Sequence, residues 1–111
     1  MFIYHERIRM IKNVVILEIF DFLKQRGIVS SESEFSEGWL GQCDSYYRGL
    51  RFKRGEPSIG VVAICGSRMR RAGEQIIASP RHAHVGRHFL ELSEKCLQLV
   101  NEDAVELELI S

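Results

Sequence analysis

A chain of 111 residues that is 45% apolar and 27% charged can bury one modest core, which excludes a disordered or fibrous protein. Its apolar runs, the longest being five residues at 61–65 and four at 14–17, fall far short of the ~20 residues that cross a bilayer, and Glu6 comes too early for a secretory signal, so a cytoplasmic protein without a membrane role is expected. The zero net charge hides an uneven distribution, because residues 42–90 hold nine basic and three acidic side chains while residues 91–111 hold one and six, which points to a basic middle that attracts an anion and an acidic tail.

Within residues 12–26, Ile16, Ile19, Phe20 and Leu23 recur at helical spacing, and Gly27 stands where a left-handed terminating residue is wanted. This predicts the first helix, with an earlier start open because residues 3–11 contain no breaker. Ser31 precedes Glu34 by three residues, the spacing of a capping box. A second, short helix is therefore predicted through Phe35, Trp39 and Leu40, ending at Gly41 and weakened by Gly38. After a brief turn, Asp44 or Cys43 supplies an N-cap, and residues 45–53 form a third helix stopped by Gly55. Pro57 and Ser58 open a fourth helix in which Ile59, Val62, Ala63 and Gly66 share an apolar face, continuing through Met69 to the basic group Arg68, Arg70 and Arg71. Ser79 and Pro80 break it, a loop runs to Gly86, and Phe89, Leu92, Cys96 and Leu99 mark a last helix. In residues 104–110 the apolar residues Val105, Leu107 and Leu109 alternate with acidic ones. That is a strand pattern which a continuing helix also accommodates, a short strand being the first choice. The expected fold is mainly α, with four to five helices. Residues 1–78 form the principal domain and residues 79–111 a C-terminal helix with an acidic tail.

Two short helices joined by a turn with positive φ, the later one basic on its outward side, make up a helix-turn-helix that lays its second helix in the major groove. Leu40, Tyr47 and Leu50 take the inward positions. Asp44, Ser45, Arg48, Arg51 and Tyr46 are left outward.

The run Leu40-Gly41-Gln42-Cys43-Asp44-Ser45-Tyr46-Tyr47-Arg48-Gly49-Leu50-Arg51, followed by Gly55-Glu56-Pro57-Ser58-Ile59, resembles the helix-turn-helix of Cro and phage repressors. It is also similar to small bacterial proteins, mostly alphaproteobacterial, with a Phe-Ser-x-x-Trp/Tyr-Leu-Gly and Ser-Tyr-Tyr core. The resemblance covers roughly residues 30–72. Departures from the pattern are Ser36 or Glu37 in place of a small alanine, a supporting helix one residue longer, Gln42 after the turn glycine, and Gly49 within the reading helix. The resemblance implies that Asp44, Ser45 and Arg48 reach base edges, Arg48 by two parallel bonds to guanine. It gives Arg51, Lys53 and Arg54 to phosphates. Double-stranded DNA is then the expected partner. A homodimer pairing through the helix of Phe89 to Leu99 would place two readers on two half-sites.

Other chemistry is thinly represented. Tyr46 and Tyr47 offer stacking rings, but neighbours on a helix face different ways, so one belongs to the core, as does Trp39 between the first two helices. Cys43, Cys65 and Cys96 are odd in number and widely spaced, which fits free thiols in a reducing compartment. His84 and His88 have i, i+4 spacing beside His82, yet no carboxylate or paired cysteine accompanies them, so a metal-responsive sensor ranks third and no metal or cofactor is expected. No nucleophile, base or phosphate-cradling pattern supports an enzyme. The second reading is a protein-interaction module that keeps the helix-turn-helix shape and shows an apolar patch where a DNA reader shows arginines.

Overall fold

Five α-helices and one 3-10 turn make up the computed structural model, which describes residues 2–110 and the side chains of residues 6–104, and no strand occurs among the described residues. Helix α1 spans Phe2–Gln25, taking the earlier of the two starts the sequence leaves open. Ile16, Ile19, Phe20 and Leu23 are all buried, as their spacing predicts. Gly27 ends the helix at φ +73°, with its N–H on the Lys24 carbonyl at 3.0 Å and the Ile28 N–H on the Leu23 carbonyl at 2.9 Å. These two bonds satisfy carbonyls that a bare helix end leaves orphaned.

Helix α2, Glu32–Gly38, is capped by Ser31, whose side chain accepts from the Glu34 N–H. The reciprocal bond is shifted by one residue from the expected capping box. The Glu34 carboxylate accepts from the backbone N–H of Ser30 at 2.9 Å and from its hydroxyl at 2.6 Å, not from Ser31. The helix also closes at Gly38 and not after Leu40. The N–H groups of Trp39 and Leu40 both turn back to the Phe35 carbonyl, at 3.0 and 3.2 Å, which pulls Leu40 inward to full burial. Gly41 then reverses the chain at φ +67°.

Helix α3, Tyr46–Phe52, begins after Ser45, which makes no side-chain capping bond, so neither Asp44 nor Cys43 serves as N-cap. Its left-handed terminating residue is Arg54, at φ 53°, and not Gly55. A side chain in that region costs roughly 1–2 kcal/mol. The strain is offset from α1. The Arg9 guanidinium donates to the Arg54 carbonyl, Asn13 donates to the Gly55 carbonyl at 3.1 Å, and the buried Lys12 pairs with Glu56 at 3.2 Å.

Helix α4, Ile59–Ile77, starts at Ser58, whose hydroxyl accepts from the Val61 N–H at 3.2 Å. It buries Val61, Val62, Cys65, Gly66, Met69 and Gly73, so of the apolar face read from the spacing Ala63 is left exposed and Ile59 half-buried. After the 3-10 turn Pro80–His82, helix α5 covers Ala83–Ile110. Gly86 therefore lies inside the helix instead of closing a loop. The acidic tail continues as helix and forms no strand. A lone strand there would leave its N–H groups without a ladder, whereas leucine and glutamate are strong helix formers.

Helices α4 and α5 form the tightest pair of the fold. A Cβ built on Gly66 would lie 2.7 Å from the Cys96 Cβ, and one on Gly73 would lie 2.9 Å from the Phe89 Cβ, so only glycine permits this approach. The buried Ser93 hydroxyl donates to the Gly66 carbonyl at 2.7 Å across the seam. Helix α1 joins them through an edge-on Phe22–Phe89 contact at 5.1 Å and a Lys95–Glu18 ion pair at 2.9 Å. One buried cluster thus takes residues from every α-helix and from both sides of position 78. Phe89, Leu92, Cys96 and Leu99, expected as a dimer seam, are buried in that cluster. Trp39 is half-buried and faces Phe89 at 6.1 Å, so its ring looks toward α5. No helix among the described residues is long and apolar enough to cross a membrane.

Candidate nucleic-acid interface

The joint between α2 and α3 is built around one hydroxyl. Ser36 is fully buried. Its Oγ donates to the Glu32 carbonyl at 2.8 Å and accepts from the Tyr47 N–H at 3.0 Å. The start of α3 is thereby pinned to the middle of α2 without a polar group going unpaired. Around this bond the rings of Phe20, Phe35 and Tyr47 stand 5.1 to 5.4 Å apart. Burial pushes the Tyr47 phenol up to about 12, because the phenolate would lose hydration there. Outside the rings, Arg51 pairs with Glu32 at 2.9 Å and lies 5.8 Å from the Tyr47 ring centre. Arg68 of α4 donates to the Glu37 and Gly38 carbonyls at 3.1 and 2.9 Å, closing the C-terminal end of α2.

The connection between the two helices, residues 39–45, is seven residues long, whereas a tight helix-turn-helix uses about three or four. The difference follows from the early end of α2 at Gly38. The two helices still meet, because Leu40 and the Ser36 bond fold the extra residues inward.

Among the sequence-predicted residues, Ser45 and Arg48 are exposed, as is Asp44 in the turn before them. Arg48 sits mid-helix on the side opposite Tyr47 and Leu50, with no ion pair or hydrogen bond among the described residues. Lys53 and Arg54 are exposed beyond the helix end, and their side chains are likewise unpaired there. These three cations are available to an anion. Arg51 differs, its guanidinium being engaged by Glu32. Tyr46 departs from its expected outward place. It is half-buried and packed against the core, and burial pushes its phenol up against a hydrogen bond from the backbone at Ser58. Both tyrosines are therefore structural. Of the basic residues of α4, Arg68 is engaged by α2 and Arg70 lies 3.4 Å from Glu74, while Arg71 is exposed.

One residue of this face was not singled out by sequence reasoning. Phe52 is 87% exposed, one helical turn after Arg48, and its position could have been read from the wheel that places Tyr47 and Leu50 inward. Beside the face, a cleft of about 330 Å³ separates α1 from α3, lined by Arg9, Asn13, Leu17, Leu50, Arg51 and Arg54. The α1 side chains that close the end of α3 carried no short-range signal, lying more than 40 residues away in the chain.

Elsewhere, His84 is exposed and His88 lies with its ring 4.3 Å from that of Phe22. No group of three or more His, Cys, Asp or Glu side chains able to hold a metal occurs among the described residues. All three cysteines are free thiols. Cys65 and Cys96 face each other across the α4–α5 seam, and the contact with Cys96 together with burial pushes the Cys65 thiol well up.

A model for a family of unknown function (DUF6626) matches residues 16–109. The chain belongs to that family. No curated protein and no solved structure matches it.

Proposed function

We propose that this protein binds double-stranded DNA through the outward face of α3 and acts as a cytoplasmic transcriptional regulator, not as an enzyme. The observation that carries the reading is the combination of a short helix fixed on its inner side with unpaired cations on its outer side. Ser36, Tyr47 and the Glu32–Arg51 pair hold α3 in place, so a ligand need not supply the cost of ordering it. Arg48, Lys53 and Arg54 are left to meet phosphates and base edges. In this reading Arg48 contacts guanine, with Ser45 and Asp44 beside it. Lys53 and Arg54 neutralise phosphates, and Phe52 offers apolar contact to a thymine methyl group. Arg51 acts through Glu32 as a positioning residue. Two copies acting on half-sites about one DNA turn apart would multiply the few base contacts of one short helix.

The test is selection from a random duplex pool at two salt concentrations, with the intact chain and Arg48→Ala. The expected result is an enriched sequence for the intact chain, tighter binding at low salt, and loss of enrichment in the variant with the fold unchanged. No enrichment and no salt dependence would reject the reading.

Phe52 favours a second reading, in which the same face docks on a protein. Phenylalanine and arginine are both enriched at protein–protein interfaces. Binding there would weaken strongly in Phe52→Ala and little in Lys53→Ala, the reverse of the order expected for DNA.

A further inference from the structure

Helix α1 is apolar on two sides. One side fills the core, but Met10, Val14 and Leu17 are 64%, 56% and 43% exposed and lie on the other, at the alternating four- and three-residue spacing of a helix-pairing seam. Extending the same spacing in both directions reaches Arg7 and Asp21, both exposed and neither in an ion pair among the described residues. Seven residues are two helical turns within about 20°, so Arg7, Val14 and Asp21 share one line along the helix. Polar contacts border the stripe: Glu18 pairs with Lys95 on one side, and Arg9 and Asn13 are tied to the end of α3 on the other. A bounded apolar patch with a polar rim marks an association surface.

The placement of the charges selects the occupant. Arg7 and Asp21 are opposite in sign and equally distant from Val14. We infer that a second copy of this chain covers the stripe, its α1 crossing antiparallel about a two-fold axis at Val14. Each Arg7 then meets the partner's Asp21, and Met10 lies against the partner's Leu17. A parallel arrangement would set arginine on arginine and aspartate on aspartate. The pattern is therefore complementary to itself in one orientation only, which is what a closed two-fold pair requires. This pairing uses neither α3 nor the buried face of α5, and it stands apart from the DNA reading.

The test is the mass of the full chain in solution by light scattering and sedimentation, without DNA, from about 1 to 100 μM. A dimer is expected, and Val14→Asp is expected to be a monomer with unchanged helical signal and melting. Arg7→Asp and Asp21→Arg each place like charges together twice and should raise the dissociation constant about tenfold or more. Combining them restores both pairs with their signs exchanged and should return the constant to within about threefold of the parent. A monomer throughout the range would overturn the proposal and leave the stripe to a different partner. A dimer unaffected by Val14→Asp, or a double variant as weak as the single ones, would equally overturn it.

Discussion

Along α4 and α5, glycine lets two long helices touch almost backbone to backbone, whereas α2 and α3, of seven residues each, are joined by one buried hydroxyl, an aromatic group and an ion pair. The first region commits its small side chains and apolar faces to itself. The second keeps its polar joint inside and leaves a row of cations outside. In the proposed DNA reading, stability and recognition fall to different helix pairs, and substitutions in the two should fail in different ways.

The largest effect is expected at the seam. Gly66→Val adds a branched side chain where even a Cβ would sit 2.7 Å from that of Cys96, so α4 and α5 must separate. A loss of about 3 kcal/mol in chemical denaturation is predicted, and an unchanged midpoint would show that the seam is looser than described. Ser36→Ala comes next. It strands the Tyr47 N–H in the core, a loss of about 2 kcal/mol, and it should loosen α3 so that DNA affinity falls together with stability. If affinity falls while stability holds, Ser36 serves recognition more directly than the joint suggests.

Felt only in alkaline solution, and more specific, is the behaviour of Tyr47 with pH. Its folded value of about 12 lies above the unfolded value of 10.0, so the unfolded chain loses the proton first as pH rises. The stabilisation is fully present below pH 10 and is lost between pH 10 and 12, amounting to roughly 3 kcal/mol at most. Tyr47→Phe should flatten that part of the stability profile. A slope that persists in the variant would assign it to other groups.

Much of the architecture was legible because its signals are local. Ile16, Ile19, Phe20 and Leu23 announce α1 by spacing, and Gly27 announces its end. The failures occurred where tertiary contacts override local preference. Arg54 takes the left-handed position ahead of Gly55 because Arg9 and Asn13 of α1 bind the carbonyls there. The tail reads as a strand by alternation, but no strand among the described residues is available to pair with it. Tyr46 looks outward by sequence and turns inward because the start of α4 offers it a backbone partner. Of the candidate site, Arg48, Lys53 and Arg54 could be picked from the sequence as basic residues near a short helix. That Arg51 and Arg68 are already engaged depends on Glu32, Glu37 and Gly38, whose approach is a property of the folded chain.

The salt dependence of binding to duplex DNA, compared between the intact chain and Lys53→Ala/Arg54→Ala, bears most directly on the DNA reading. Each phosphate contact contributes about 0.9 to the slope of log affinity against log salt concentration. A negative slope is expected for the intact chain, becoming shallower by about 2 per protomer in the variant, with melting unchanged. An identical slope in the two proteins, or no binding by the intact chain at low salt, would contradict that reading.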